Sequence, residues 1–269
     1  MKKYTDHNII VHTGEAADRL FQFRSDAKYV NNGAILKVDI DRWREAQFYE
    51  RKTWMEICLS LSDDRNYEHY QKFESYKTIM DHSKTNNIKN VIELGCGPFT
   101  NLRTIVNNLT GIEQIHLLDP LIDDYLHHPG CQYKNKRMFN GRRCLISACL
   151  CYYNIVTHNT PIEECKIETK FDLIIMNNVL EHCYDIEVIF DKIYNMLSEN
   201  GIFVFGDVYF LSEDIEELSN VLYDSGHPLR LSKDFMDKAL EKYTPIFDKS
   251  FSTNSEGRHF EKYFIGVKS

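Results

Sequence analysis

The chain has 269 residues, of which 43% are hydrophobic and 27% are charged, a composition typical of globular proteins. Its formal net charge is −8, and the only basic clusters, at 134–137 and 142–143, are short, which disfavours a nucleic-acid partner. No apolar run is long enough to cross a bilayer, and the first residues lack the apolar core of a signal peptide. We therefore expect a cytoplasmic protein with a small-molecule substrate and no membrane partner; the oligomeric state stays open.

Residues 1–87 precede the first predicted core strand, and we expect them to form a helical cap or lid. A helix is predicted over 41–61, with Asp41 as its N-cap. The residues on one face of this helix are Trp43, Gln47, Glu50 and Trp54. Two tryptophans indicate that this face is buried, so Gln47 and Glu50 need polar partners. They either face a binding cleft as substrate ligands or hydrogen-bond to neighbouring loops.

A second helix is predicted over 65–82. It carries aromatic residues at a spacing of three, namely Tyr67, Tyr70, Phe73 and Tyr76. Such a stripe is more typical of packing than of a ligand site.

Residues 91–100 combine an apolar strand, a glycine-rich turn and the start of a helix. Gly95 and Gly97 lack a Cβ, so the chain can turn tightly there and a ligand can approach the backbone. The third glycine of the dinucleotide-binding fingerprint is absent, since Thr100 stands in its place. Glu93 is also out of place beside a pyrophosphate. A carboxylate there suits a ligand with a cationic or hydroxyl-bearing end.

Further apolar strands follow at 115–118, 153–158, 171–176 and 201–205, alternating with helical stretches. This alternation predicts βαβ units and a parallel sheet, whose ligands bind at the carboxyl ends of the strands. Asp119 follows the second strand, where a carboxylate can accept both hydroxyls of a ribose. The last two strands are predicted at 243–250 and 259–267 and form an antiparallel hairpin.

An insertion is predicted over 122–150, and it is rich in cysteine and basic residues. The chain has eight cysteines. The residue types that bind zinc cluster here, namely His127, His128, Cys131, Cys144, Cys149 and Cys151. Their spacing matches no zinc motif, so we interpret the cysteines as reduced thiols and expect no metal ligand.

Four pieces of the chain together resemble the class I S-adenosylmethionine-dependent methyltransferases. They are the segment Glu93-Leu94-Gly95-Cys96-Gly97, Asp119 after the second strand, Thr160-Pro161-Ile162-Glu163-Glu164 after the third, and Asn177 with Leu180-Glu181-His182 after the fourth. The resemblance covers roughly residues 88–210. It implies an α/β, Rossmann-like methyltransferase fold: a mostly parallel seven-stranded sheet with helices on both faces. We expect this core to span 88–269, with residues 1–87 as an N-terminal helical extension. An NAD-binding Rossmann domain and a fold that has lost its ligand are the alternatives.

The resemblance also implies where S-adenosylmethionine would bind. Its methionine part would lie against Glu93, Gly95, Cys96, Gly97 and Asn177, its ribose against Asp119 and Pro120, and its adenine against Pro161 and Ile162. Because Pro161 has no N–H, an adenine ring nitrogen would take its hydrogen bond from the Ile162 N–H. Thr160 or Glu163 could accept a hydrogen bond from the exocyclic amine.

For catalysis, His182 is the predicted general base, because its ordinary pKa lies near 7 and it follows a strand at the cleft. Glu181 could orient it or bind the acceptor. Asp207 and Tyr209, after the fifth strand, are further catalytic candidates, and His227 and Arg230 lie in a loop that could reach the cleft.

The methyl acceptor is the least determined part of the prediction. The helix face at 43–54 resembles a segment of methyltransferases from bacterial sugar and surface-polysaccharide pathways. This favours O-methylation of a sugar or a phosphorylated metabolite of a surface-glycan pathway. The alternatives are N- or C-methylation of a small molecule, and a cofactor-binding partner subunit without turnover.

Overall fold

A computed structural model describes residues 3–6, 9–12, 28–30, 34–58, 66–84, 86–127, 131, 153–211, 226–252 and 259–268. The N-terminal part contains two short antiparallel hairpins. These pair β1 (Lys3–Asp6) with β2 (Ile9–His12) and β3 (Lys28–Val30) with β4 (Ala34–Lys37). The sequence did not predict these strands in a segment expected to be helical.

The helix α1 (Ile40–Lys52) has its N-cap two residues earlier than expected. Its N-cap is Asp39, whose side chain accepts hydrogen bonds from the backbone N–H of Asp41 and Arg42, so the prediction of Asp41 as N-cap is wrong. The helix continues as a π-helical turn, Thr53–Cys58. Residues 59–61 of the predicted helix lie outside the described residues.

The second predicted helix is broken in the middle. It divides into α2 (Asn66–Lys72), a 3-10 turn (Glu74–Tyr76) and α3 (Lys77–Ser83). All three residues of the turn have a positive φ, between 51° and 61°. The turn lets Phe73 and Tyr76 stack at 5.0 Å with both rings fully buried, so tertiary packing overrides helix continuity here. The interpretation of these two aromatic residues as packing residues is confirmed.

The central sheet has seven strands. They are β5 (Asn90–Leu94), β6 (Gln114–Leu118), β7 (Asn154–His158), β8 (Phe171–Asn177), β9 (Leu197–Phe210), β10 (Tyr243–Ser252) and β11 (His259–Lys268). Their order across the sheet is β10-β11-β9-β8-β5-β6-β7. The strands β5 to β9 pair in parallel, and β11 joins β9 and β10 antiparallel. The predicted fold class, including the closing hairpin, is confirmed.

The helices that follow these strands are α4 (Leu102–Ile105), α5 (Ile122–His127), α6 (Ile186–Met196) and α7 (Lys233–Leu240). In α6, Ile186, Ile189, Phe190 and Ile193 follow helical spacing and are buried. The helix starts at Asp185, whose side chain accepts the Val188 N–H.

Two apolar clusters pack against opposite faces of the sheet. In β8, Leu173 and Ile175 belong to one cluster, while Ile174 and Met176 belong to the other. This alternation follows from the two-residue period of a strand. Because both faces are covered, the ligand-accessible edge of the parallel strands is their carboxyl end, where β5 is flanked by β6 on one side and β8 on the other.

Most of the predicted insertion, with His128, Cys144, Cys149 and Cys151, lies outside the described residues. Of its cluster, Cys131 is described, and it is a buried cysteine that forms no disulfide bond. Within the described ranges, no helix is long and apolar enough to cross a membrane.

Candidate active site

The glycine-rich turn after β5 is held against the end of β6 by backbone hydrogen bonds. The N–H groups of Gly95 and Cys96 donate to the Leu118 carbonyl over 2.8 and 3.1 Å, and the Gly97 N–H donates to Asp119 Oδ2 over 3.0 Å. Both glycines have a positive φ, 64° and 50°. A Cβ on Gly95 would lie 2.5 Å from two carbons of Val179, whereas a Cβ on Gly97 would meet nothing within 4 Å. Gly97 therefore faces open space in the cleft.

The carboxylate of Glu93 is fully hydrogen-bonded by neighbouring residues of the chain. Its carboxylate accepts hydrogen bonds from the Thr100 hydroxyl, the Asn101 backbone and side-chain N–H groups (2.8 and 2.9 Å) and the Leu102 N–H (3.3 Å). It is 1% exposed and does not line the cleft. Burial raises its pKa, and these hydrogen bonds counteract that rise. The expectation that Glu93 meets the cofactor is therefore corrected: it ties the glycine turn to the start of α4.

Asp119 lies at the tip of β6 with both carboxylate oxygens partly used. Oδ1 accepts the Leu121 N–H over 2.8 Å, and Oδ2 accepts the Gly97 N–H. Burial raises the pKa of this carboxyl to about 6, and the charge of Glu50 acts in the same direction. Each oxygen keeps a lone pair for a further donor, and Asp119 and Pro120 both line the cleft.

The segment after β7 forms the next wall. Pro161, Ile162 and Glu163 line the cleft. Glu163 Oε1 accepts the N–H groups of Tyr184 and Asp185 over 2.6 and 3.1 Å. Its second oxygen, Oε2, is buried and has no hydrogen-bond partner among the described residues. This orphan acceptor can bind a donor from a ligand.

Asn177, the last residue of β8, lies on the floor of the cleft. Its side chain is 6% exposed, and its amide makes no hydrogen bond of normal geometry to any described residue. The neighbouring strand makes room for it with a glycine, because a Cβ on Gly206 would lie 2.9 Å from Asn177 Oδ1. The buried hydroxyl of Tyr76 lies near this amide, but the amide is still a second buried polar group without a hydrogen bond of normal geometry among the described residues.

The predicted face of α1 covers the opposite side of the cleft. The indole N–H of Trp43 and the side-chain N–H of Gln47 both donate to the His182 carbonyl, over 3.1 and 3.0 Å. Glu50 Oε2 accepts the Trp54 indole N–H over 2.9 Å. All four side chains line the cleft. Gln47 and Glu50 both line the cleft, and both have partners within the chain; their role as substrate ligands stays a prediction.

His182 lines the cleft, and its ring orientation is fixed by a backbone carbonyl. Nδ1 lies 3.0 Å from the Gly226 carbonyl oxygen and 3.3 Å from Glu50 Oε1. Since a carbonyl oxygen only accepts, Nδ1 carries the proton, and Nε2 carries the lone pair in the neutral ring. This is the tautomer that a general base at Nε2 requires.

Glu181 does not line the cleft. It belongs with His182 to a 3-10 turn, Leu180–His182, in which successive side chains diverge by about 120°. Its Oε1 instead lies 3.4 Å from Nε2 of His227. The expectation that Glu181 orients His182 or binds the acceptor is therefore corrected, because the tight turn sends the two side chains in different directions.

Asp207 and Tyr209 lie within a strand rather than in a loop, because β9 continues to Phe210 by pairing with β11. Asp207 lines the cleft, but its oxygens accept the N–H groups of Val179 (3.0 Å), Leu180 (2.8 Å) and Val208 (2.8 Å). Burial raises its pKa to about 6. These bonds indicate that Asp207 holds the loop after β8.

Tyr209 is 4% exposed and stacks on Phe260 at 5.2 Å, outside the cleft. The expectation of a catalytic Tyr209 is therefore corrected. Its ring packs against the residue that faces it across the β9–β11 pair.

Sequence reasoning missed His69 at the far end of the cleft. Asn101 donates through Nδ2 to Glu93, so its Oδ1 faces Nδ1 of His69 over 2.9 Å, and Nδ1 must carry the proton. Burial lowers the pKa of this imidazole, which favours the neutral form with a lone pair on Nε2. The only signal was a histidine within the aromatic stretch of α2, and the kink that follows α2 was not predictable. Glu68, Glu261 and Tyr263 line the same end.

A family model described as a methyltransferase domain matches residues 51–243. The chain belongs to this methyltransferase family. Its resemblance to the class I S-adenosylmethionine-dependent methyltransferases is thereby confirmed, and its cofactor is S-adenosylmethionine. The NAD-binding alternative is dropped.

Solved structures are similar to this chain. N-methyltransferase NodS from Bradyrhizobium japonicum WM9, in complex with S-adenosylhomocysteine, has 14% sequence identity and a TM-score of 0.55, over 83% of this chain and 98% of its own. A Burkholderia thailandensis 1,6-didemethyltoxoflavin-N1-methyltransferase has 13% identity and a TM-score of 0.47, over 91% and 100% of the two chains. No curated protein sequence matches the chain.

Proposed function

We propose that this methyltransferase transfers the methyl group of S-adenosylmethionine to an oxygen of a small polar acceptor, such as a sugar or a phosphorylated metabolite of a surface-glycan pathway. The observation that carries the proposal is the tautomer of His182, whose Nδ1–H is held by the Gly226 carbonyl. An unprotonated ring nitrogen beside the cleft suits a hydroxyl acceptor, which must lose its proton. In this reaction the acceptor oxygen bonds to the methyl carbon as the carbon–sulfur bond breaks, and S-adenosylhomocysteine leaves.

The unpartnered polar groups of the cleft support one placement of the cofactor. Asp119 would accept the ribose hydroxyls, and Glu163 Oε2 would accept a hydrogen from the adenine amine. The buried amide oxygen of Asn177 would accept from the methionine ammonium, and Gly97 leaves room for the methionine chain. Cys96, Pro120, Pro161 and Ile162 would supply the remaining walls.

Residues 1–87 would act as a cap on a core that spans 88–269. Support comes from contacts that hold α1 on the core: Trp43 and Gln47 on the His182 carbonyl, and an ion pair between Arg51 and Asp124 at 2.8 Å. A cap in this position would exclude water from the reacting sulfonium and contribute Gln47 and Glu50 to the acceptor side.

N-methylation of a small amine is the second candidate, because Glu68 and Glu261 line the far end of the cleft with Tyr263. However, both carboxylates pair with Lys72, which leaves one net negative charge rather than two for a cationic amine. This neutralisation is why we place the oxygen acceptor first.

The proposal is tested by calorimetric titration with S-adenosylmethionine, S-adenosylhomocysteine and NAD, followed by a methyl-transfer screen against nucleotide-linked sugars and small amines. We expect both sulfur compounds to bind, NAD not to bind, and a hydroxyl-bearing compound to be methylated. Failure of both sulfur compounds to bind would remove the cofactor placement. Turnover of amines alone would contradict the oxygen acceptor, and full turnover by His182→Ala at saturating substrate would contradict the role of that ring.

A further inference from the structure

Three side chains of the types that bind metals converge beside the cleft from separate segments of the chain. Glu50 comes from α1, His182 from the turn after β8, and His227 from the segment before α7. Each offers one ligand atom, and the three atoms lie within 4.8 Å of one another. The sequence did not predict this set, because Glu50 and His227 are separated by most of the chain and follow no spacing motif.

The distances around His182 fit a coordination shell. Nδ1 lies 3.0 Å from the Gly226 carbonyl oxygen and 3.3 Å from Glu50 Oε1. Ligands bound at about 2.1 Å in a tetrahedron are about 3.4 Å apart. A cation would take the place of the proton on Nδ1, and the Gly226 carbonyl, 3.0 Å from Nδ1, would have to move outward to act as a fourth donor.

The surroundings of these groups also suit a cation. The indole N–H of Trp54 holds Oε2 of Glu50, which leaves Oε1 directed at His182. Glu181 places a further carboxylate 3.4 Å from Nε2 of His227. Hydrogen-bonding partners that orient the ligating side chains in this way raise the affinity of a site for its metal. The side chains of Glu50 and His182 are 16% and 15% exposed, so an ion can enter from the cleft.

We propose that Glu50, His182 and His227 form a site for a divalent transition-metal cation at the acceptor side of the cleft. Two imidazoles, one carboxylate and one carbonyl oxygen favour Zn²⁺, Co²⁺ or Mn²⁺ over Ca²⁺. The site joins α1 to two loops of the core, so the cation also fastens the N-terminal cap over the cleft.

The role of the cation in catalysis rests on the proposed function. A cation held by Glu50, His182 and His227 would act as a Lewis acid: it would lower the pKa of an acceptor hydroxyl bound to it, and that proton would leave to solvent water. The oxygen then bonds to the methyl carbon while the carbon–sulfur bond breaks. A cation on Nδ1 would shift the proton of His182 to Nε2, so His182 would act as a ligand in the cation-loaded protein and as the base at Nε2 in the cation-free protein.

The test titrates chelator-treated full-length protein with Zn²⁺, Co²⁺ and Mn²⁺ by calorimetry and records the Co²⁺ absorption spectrum. We expect one saturable site per chain, without the charge-transfer bands that cysteine thiolates give. His182→Ala and His227→Ala should each weaken cation binding at least about 10-fold. The matched control is His158→Ala, which removes the other described pair of neighbouring histidines, His116 and His158 at 2.8 Å, and should leave the affinity unchanged.

S-adenosylhomocysteine binding is measured on the same samples, because it separates this inference from the proposed function and reports folding. His227 does not line the cofactor cleft, so His227→Ala should keep the wild-type affinity for S-adenosylhomocysteine. Loss of cation binding with that affinity intact supports the site. Absence of saturable cation binding, thiolate bands, or unchanged cation affinity in both histidine variants overturns it, whatever the cofactor titration gives. Cation binding without S-adenosylhomocysteine binding would retain the site and remove the proposed function.

Discussion

Replacing Asp119 by asparagine changes one carboxylate oxygen to an NH₂ group with almost no change in volume. In the wild type, Oδ1 accepts the Leu121 N–H and Oδ2 accepts the Gly97 N–H. Whichever way the amide turns, its NH₂ group faces one of these N–H groups and can no longer accept from a ribose hydroxyl. One hydrogen bond to a charged acceptor contributes about 1.5–3 kcal/mol, so we expect S-adenosylhomocysteine to bind about 10- to 150-fold more weakly.

The pH dependence gives a second signature of the same carboxyl. Because burial raises the pKa of Asp119 to about 6, the ionised form that accepts both hydroxyls dominates above pH 6 and is lost below it. At pH 5 the affinity should have fallen about 10-fold from its plateau. The free energy of unfolding of the ligand-free protein should change in the opposite direction. A raised pKa means that the folded state binds the proton more tightly than the unfolded state. This group therefore stabilises the fold at acidic pH, and that contribution is lost as the pH rises through 6.

The affinity for S-adenosylhomocysteine and its pH dependence are measured by calorimetry between pH 5 and 8, on the wild type and on Asp119→Asn. In the variant, the part of the pH dependence that comes from this carboxyl should disappear. An unchanged affinity at pH 7.5, or the same pH profile in both proteins, would refute the assignment of the ribose to Asp119.

Two further predictions use matched pairs of neighbouring residues. Gly95→Ala should lower the free energy of unfolding in urea more than Gly97→Ala. Both variants place a Cβ at positive φ, which costs about 1–2 kcal/mol, but only the Cβ at position 95 would also collide with Val179. Equal losses would contradict this packing argument. Glu163→Gln should weaken S-adenosylhomocysteine binding about 10-fold, the loss of about 1.4 kcal/mol, because it replaces a buried acceptor by a group that also donates. Glu164→Gln, at an exposed position, should not, and an equal effect of the two variants would exclude Glu163 as the adenine partner.

The parallel core was predictable because each strand carries its own signal. The runs at 91–94 and 173–176 are buried on both faces, so, apart from Glu93, they read as hydrophobic segments whatever their neighbours are. The predicted glycine turn and Asp119 also lie at the cleft, since the direction of a parallel strand fixes the edge at which its last residues emerge. Local sequence was sufficient wherever the position of a residue depended only on its own strand.

The corrected residues depend instead on partners that are distant in the chain. Tyr209 was expected after the end of a strand, but β11 extends that strand to Phe210 by supplying a pairing edge from residues 259–268. Glu93 was expected to face the ligand, but Thr100 and Asn101 fold back and use both of its oxygens. In both cases the role of the side chain is decided by the residue that it contacts, and the residue type alone does not identify that partner.

The acceptor side of the cleft is where this dependence is strongest. Glu50, His182 and His227 meet only because α1 lies across the carboxyl ends of the strands, and α1 is held there by contacts such as Gln47 to the His182 carbonyl. The cofactor side is built from consecutive strand ends of the core, so its residues follow in a fixed order along the chain. The acceptor side also needs a helix that precedes the core and a segment that follows its fifth parallel strand, and these two meet the turn after β8 at His182. Substrate choice can therefore change through these two segments while the cofactor side stays the same, and this is why the sequence predicts methyl transfer more sharply than it predicts the acceptor.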